Sequence, residues 1–268
     1  MIHVNGNSIP SHDELWNIID LKTNDKFKID FQELIVVRAQ ENYANIPKRP
    51  NIAIAFPPAN MEIIESKFYT YLPTTRDCGF NVLIHADFAL DNARVSIPGS
   101  AYNNKLFEIA AKMLVNELLT NQELHTYENF AKFLTPNKNE KSVEKFNQYV
   151  WNELTRESNF LVEILKKVYT KDKKFPETSY RLVFNLISSW IERREPGAWK
   201  DEYFKNIYKN VISFFCNQNI NIVYIDENHK TFLPPSKTDT SFTNSLFYQA
   251  ADEIKSIKLQ FDLLDDID

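Results

Sequence analysis

The chain has 268 residues, a formal charge of −5 and a pI near 5.7, which is long enough for one large domain or two ordinary ones. Because nucleic acids and acidic membrane surfaces attract basic proteins, this charge balance gives no support for either partner. The hydrophobic share of 43% argues against global disorder, and no stretch approaches the ~20 apolar residues of a membrane-spanning helix.

Cysteine and glycine usage narrows the class of protein further. Cys78 and Cys216 lie far apart, with no metal-type spacing around them, and the amino terminus lacks a secretory signal pattern, so we expect a soluble, cytoplasmic protein. Only four glycines occur, and no two are close enough to form a phosphate-cradling loop. We therefore expect that this chain alone holds no nucleotide and no other cofactor.

The first part of the chain predicts a small sheet. Residues 12–21 (HDELWNIIDL) indicate a short helix, whereas residues 34–37 and 50–56 predict strands. Residues 67–72 and 81–90 alternate apolar and polar side chains, and they predict an antiparallel pair joined by a turn that contains Pro73 and Gly79. A sheet of about four strands over residues 33–91 follows from these patterns.

Arg94 stands out in the polar segment DNARVSIPGS (residues 91–100), directly after the last of these strands. A loop held by a rigid sheet is the usual place for a functional residue. The guanidinium is always charged and offers a planar fork of donors, so Arg94 could reach a phosphate on another domain. The alternative is a surface arginine that pairs with Asp91 or Asp77.

His85 and Asp87 are the other candidates for chemistry, because they share one face of the strand at residues 81–90. A metal site needs three or four ligands, and no further histidine or cysteine is positioned by the sequence to complete one. We therefore predict no metal site and a structural His85. The sequence also contains no glycine-flanked serine and no histidine-glutamate zinc helix.

Beyond Gly99 the pattern becomes helical. Apolar stripes at helical spacing are separated by segments rich in proline, asparagine or glycine. The predicted fold class is α+β: a small mixed or antiparallel sheet with helices on one face in residues 1–125, then a mostly helical domain in residues 126–268 with a short hairpin at 220–235 and a last helix at 244–259. The stripes are Leu106, Ala110, Met113 and Leu118; Val143, Phe146, Val150 and Leu154; Leu182, Leu186 and Trp190; and Phe204, Tyr208, Val211 and Phe215.

The run FYTYLPTTRDCGFNVLIHADFALDNARVSI resembles the segment that follows the nucleotide-binding domain in sacsin-like and heat-shock-chaperone-like GHKL ATPases. In that family a strand ending in Leu-Pro-Thr precedes a glycine turn, a strand ending in Ala-Asp-Phe and a Ser-Arg-Glu loop. The resemblance covers residues 50–120 and 220–237, and Ala93 and Val95 depart from the loop pattern. The matching positions are Leu72, Pro73, Thr74, Gly79, Ala86, Asp87, Phe88 and Arg94.

This resemblance implies a middle or coupling segment that binds no nucleotide itself. It implies that Arg94 contacts the terminal phosphate of ATP, held with magnesium by an ATPase domain in the same polypeptide or in another chain, and that a client or partner protein receives the signal. Residues 1–50 are too few to form that ATPase domain. Two alternatives stay open: a stand-alone protein-interaction scaffold in which Arg94 is structural, and a nuclease or other hydrolase with an unfamiliar site.

Overall fold

The protein has an α+β fold in the computed structural model, which describes residues 17–21, 31–43, 45–47, 49–58, 66–125, 127–136, 144–156, 160–172, 183, 186, 187, 189, 190 and 201–217. The chain forms two compact units. The first contains Met1–Leu114 and Asn137–Val150, and the second contains Val115–Pro136 and Trp151–Asp268.

Five strands form a mixed sheet in the first unit, in the order β1-β2-β5-β3-β4. All neighbouring pairs are antiparallel except β3 and β5, which run parallel. The predicted α+β class is thereby confirmed, with five strands instead of four. The strands are β1 (Asn17–Asp20), β2 (Ile52–Phe56), β3 (Lys67–Thr70), β4 (Leu72–Asp77) and β5 (Leu83–Ala86).

Two predicted elements near the amino terminus have the opposite type. Residues 17–20 were expected to be helical but form β1, because each of them finds a partner along β2 and cross-strand pairing overrides weak local preference. Residues 34–37 were expected to be a strand but lie in helix α1 (Gln32–Gln40). There Leu34 is buried and Val37 is half-buried three residues later, so the apolar side chains follow helical spacing.

The predicted antiparallel pairing of residues 67–72 with 81–90 is wrong. Residues 73–77, which were expected to belong to the turn, form strand β4 together with Leu72, and the chain reverses at Tyr71 with φ of 62°. Pro73 suggested a turn, but proline is tolerated in an edge strand, and β4 is the edge of this sheet. Gly79 does form a turn, with φ of 77°, after which the chain crosses to β5.

An aromatic cluster joins the sheet to the first unit's helices. Phe68 is fully buried, and its ring centroid lies 5.0 Å from Phe107 of α2 (Ala101–Thr120) and 5.3 Å from Phe146 of α4 (Glu144–Arg156). Phe68 lies opposite Ile84 in the parallel register, so both face the same side of the sheet. Burial of one such ring contributes about 2 to 3 kcal/mol.

The second unit is helical in the part of the chain that the structure describes. Trp151 lies 5.0 Å from Trp190 and 5.3 Å from Phe204 between ring centroids, so Trp190 and Phe204, which belong to two of the predicted apolar stripes, pack in a buried cluster. The hairpin at 220–235 and the last helix at 244–259 lie outside the described residues, as do Val143 and Leu182. Besides the last parts of α2 and α4, the unit contains a 3₁₀ turn (Gln122–Leu124), α3 (Tyr127–Leu134), α5 (Phe160–Asp172), helical residues within 183–190, and α6 (Asp201–Asn217). None of the helices in the described ranges is both long and apolar enough to cross a bilayer.

Candidate functional site

Arg94 lies in an exposed loop between β5 and α2, in a conformation that is unusual for its residue type. Its φ is 57°, in the left-handed region, and its backbone N–H donates to the carbonyl of Asp91 at 2.9 Å. A side chain with a β-carbon pays about 1 kcal/mol or more for this conformation. The surrounding contacts must therefore hold the backbone of Arg94 in place.

Asp91 closes the loop from within. Its Oδ1 accepts the backbone N–H groups of Val95 at 3.0 Å and Ser96 at 3.2 Å, and its own N–H donates to the carbonyl of Ser96 at 3.0 Å. The carboxylate is thus committed to the backbone. It forms no ion pair with Arg94.

Asp77, the other salt-bridge partner considered for Arg94, is directed into the protein. It is buried, and its Oδ1 accepts the hydroxyl of Ser66 and the N–H of Gly79, each at 2.6 Å. Within the described part of the chain, no carboxylate forms an ion pair with Arg94. The guanidinium is therefore available to a partner.

The edge strand β4 holds one side of the loop through a bulge. Lys67 lies opposite Asp77, but Tyr69 lies opposite Pro73, so residues 74–76 of β4 oppose a single residue of β3. The hydroxyl of Thr74 compensates, because it donates to the carbonyl of Phe68 at 2.9 Å and lies 3.3 Å from the N–H of Arg76. Such bulges redirect side chains at sheet edges and near functional sites.

The residue that the bulge turns outward is Thr75. Its N–H donates to the carbonyl of Val95 at 2.8 Å, and its hydroxyl donates to the same oxygen at 3.2 Å. The residue after Arg94 is therefore fastened to the sheet by two hydrogen bonds. We call β4 together with residues 91–96 the arginine edge.

Asn103, in the first turn of α2, holds both ends of the loop. The side chain is fully buried; its Oδ1 accepts the N–H of Ala89, and its Nδ2 donates to the carbonyls of Ala89 and Pro98, all at 2.9 Å. The loop that carries Arg94 is thus closed at its base by one amide. Sequence reasoning missed this residue, although Ser100 three positions earlier is a helix N-cap whose hydroxyl accepts the N–H of Asn103 at 3.1 Å.

Glu41 fixes the start of α2 from a distant part of the sequence. Its carboxylate accepts the N–H of Ala101 at 2.8 Å and that of Tyr102 at 3.1 Å. A helix leaves its first N–H groups without intrahelical acceptors, and a carboxylate near the positive end of the helix dipole satisfies them. The base of the arginine edge is consequently anchored to the segment after α1.

Asp87 and His85 have structural contacts. Asp87 Oδ2 accepts the N–H of Asn51 at 2.7 Å, which ties the end of β5 to the start of β2. His85 lies on β5, and its ring centroid is 6.0 Å from that of Tyr71. No group of three histidine, cysteine, aspartate or glutamate residues in the described ranges could hold a metal ion.

Two buried protonated groups near the site are chemically inert at neutral pH. Burial, and secondarily the charge of Asp77, raises the pKa of the Cys78 thiol to about 12, and Sγ lies 3.3 Å from the carbonyl of Val82. Burial, and then the charge of Asp87, also raises the pKa of Tyr102, whose hydroxyl donates to the carbonyl of Asp87 at 3.2 Å. Neither group is poised as a nucleophile or base.

The arginine edge can therefore bind negative charge, since Arg76 and Arg94 are both exposed on it. A comparison of the chain with family models, curated proteins and solved structures gives no match. These comparisons do not link the chain to sacsin-like ATPases, so that family stays a prediction from the sequence.

Proposed function

We propose that this chain is the coupling segment of a sacsin-like or chaperone-like GHKL ATPase and acts in the cytoplasm. In this proposal an ATPase domain, in the same polypeptide or in a partner chain, holds ATP and magnesium. Arg94 contacts the terminal phosphate, and the segment relays the nucleotide state to a client or partner protein.

The observation that carries the proposal is the way in which Arg94 is displayed. Its side chain is exposed and its backbone has a φ of 57°. Three separate anchors, namely Asp91, Thr75 and Asn103, hold the loop around it. Strain that is maintained by surrounding structure is common where a residue is pre-positioned for a ligand. A pre-positioned guanidinium stabilises the charge of a transferred phosphoryl group without reorganising.

Cysteine usage supports the cytoplasmic location. The two cysteines, Cys78 and Cys216, lie far apart in the sequence and do not have the spacing of a disulfide framework, in keeping with a reducing compartment.

Calorimetry with ATP and magnesium tests whether this chain binds nucleotide without another domain. We expect no binding heat from this chain alone, because its phosphate contact is a single arginine. Tight ATP binding by the isolated chain would show that it contains a nucleotide site of its own and would contradict the proposal.

The rate of ATP hydrolysis tests whether Arg94 contacts the terminal phosphate. It is measured in a longer polypeptide that contains the ATPase domain, or in this chain mixed with a partner ATPase chain. Arg94→Ala is expected to lower kcat by about 10²- to 10³-fold, as the loss of one charge-stabilising donor does elsewhere. Arg49→Ala is the matched control, since Arg49 is also exposed and lies outside the arginine edge. Arg94→Gly removes the guanidinium and relieves the backbone strain, so it should lose activity without losing stability.

A stand-alone interaction scaffold is the second candidate, and the exposed hairpin tip favours it. Tyr71 and Leu72 are 83% and 73% exposed. Because they are neighbours, they form a continuous apolar patch, whereas apolar residues exposed singly are ordinary on protein surfaces. If the chain is a scaffold, Arg94→Ala leaves every associated ATPase activity unchanged, and partner binding depends on the tip instead.

A further inference from the structure

The hairpin tip between β3 and β4 presents two large side chains to solvent. Tyr71 is 83% exposed and Leu72 is 73% exposed, and Tyr71 has a φ of 62°. The ring of Tyr71 packs edge-on against His85. The tip is thus held in a costly conformation in which both apolar groups point away from the core.

The same strand carries positive charge at its other end. Arg76 is exposed on β4, and Arg94 is exposed beside it, because Thr75 is bonded to Val95. The neighbouring carboxylates, Asp77 and Asp91, accept inward or backbone hydrogen bonds. On a chain of net charge −5, the arginine edge therefore carries two exposed arginines, whereas Asp77 is buried and Asp91 is half-exposed with its Oδ1 bonded to the loop backbone.

Strand addition is not the recognition mode that this edge favours. The outward N–H of Thr75 already donates to Val95, and Pro73 has no N–H to offer. Both features protect an edge from pairing with another strand. Recognition must then depend on side chains, and tyrosine and arginine are the types that dominate the energetic centres of protein interfaces.

We infer that the arginine edge is a docking surface for an acidic segment of a partner protein, with one large apolar residue and a pair of carboxylates. The apolar residue packs on Tyr71 and Leu72, and the carboxylates pair with Arg76 and Arg94. Three residues lie between Leu72 and Arg76, so the two subsites lie about 10 to 13 Å apart along the strand. In an extended segment, this distance corresponds to two or three intervening residues. The inference does not depend on the ATPase role proposed above; since one guanidinium cannot hold a phosphate and a carboxylate at once, the segment and the nucleotide exclude each other at Arg94.

Synthetic peptides test this surface with defined probes. Each peptide carries one phenylalanine and an Asp-Glu pair, separated by one, three or six serine and glycine residues, and binding to the full chain is measured by fluorescence anisotropy and by backbone amide shifts. We expect the three-residue spacing to bind best, because it spans about 13 Å when extended. An Asn-Gln version of that peptide should bind at least about tenfold more weakly, because both ion pairs are lost.

Matched variants locate the binding on the surface. Leu72→Ser and Arg76→Glu should each weaken the best peptide about fivefold or more. Val36→Ser and Arg49→Glu are controls, since Val36 is 53% exposed on α1 and Arg49 is exposed outside the edge. All four positions are at the surface, and circular dichroism verifies that each variant is folded.

Three results would overturn the inference. The first is that no peptide binds at about 1 mM, a concentration at which even weak segments bind measurably. The second is equal binding of the acidic and amide peptides. The third is that phosphatidylserine vesicles, and no acidic peptide, bind through Leu72 and Arg76, which would identify a membrane surface as the partner.

Discussion

Replacement of Asn103 by alanine should release the loop that carries Arg94. The side chain makes three hydrogen bonds of 2.9 Å, to the N–H and carbonyl of Ala89 and to the carbonyl of Pro98, and it is fully buried. Each such bond contributes about 1 kcal/mol net, and backbone groups left buried without a partner add to the loss. We therefore expect Asn103→Ala to lower the free energy of unfolding by about 3 to 5 kcal/mol.

Urea unfolding followed by circular dichroism measures this loss, and native-state hydrogen exchange locates it. The amides of Ala89, Val95 and Ser96 should exchange faster in the variant. The exchange measurement needs no assumption of two-state unfolding. Asn104→Ala is the control, because Asn104 is the same residue type one position later and is half-exposed. If Asn103→Ala costs no more than Asn104→Ala, the assignment of Asn103 as the base of the loop is wrong.

Three further predictions concern the scaffold around the site. Gly79 has a φ of 77°, and a β-carbon at Gly99 would meet no atom within 4 Å, so Gly79→Ala should cost about 1 to 2 kcal/mol in urea unfolding and Gly99→Ala almost nothing; similar losses would contradict the strain argument. Burial raises the pKa of Glu108, but hydrogen bonds and charge from Lys112 and Lys105 outweigh it, so the pKa is lowered from its usual value. The stabilisation from Glu108 is therefore present at neutral pH and lost as pH falls through the lowered pKa, and the gap in unfolding midpoint between the parent and Glu108→Gln should narrow as pH falls from about 6 to about 3. In a Cys216→Ser background, Cys78 should resist a thiol reagent at about pH 8 until the chain unfolds, because burial raises its pKa to about 12; rapid labelling of the folded chain would show that the site is open.

The sequence correctly predicted those elements in which the apolar side chains of the local pattern are also the side chains that the fold buries. The strand at Ile52–Phe56 is central and buried throughout, and helix α2 has the long helical stripe that was expected. Arg94 was expected on a loop next to the sheet, and it lies there, exposed. In each case local preference and burial favour the same structure.

Other elements depend on partners that lie far away in the sequence. Residues 17–20 are a strand because β2 lies beside them, and residues 72–77 are a strand because the edge of a sheet tolerates Pro73. Two hydrogen bonds that shape the site join separate elements. Thr75 of the β4 bulge donates to Val95, and the amide of Asn103 in α2 donates to Pro98 in the loop. Hydrophobic periodicity carries no signal for a hydrogen bond between a helix and a loop.

The central claim is that Arg94 serves a phosphate that another domain supplies. Its most direct test is the kcat for ATP hydrolysis in the longer polypeptide or reconstituted pair, with Arg94→Ala compared with Arg49→Ala at equal stability. We expect a loss of about 10²- to 10³-fold for Arg94→Ala and activity within about twofold of the parent for the control. Parental activity in Arg94→Ala would contradict the claim.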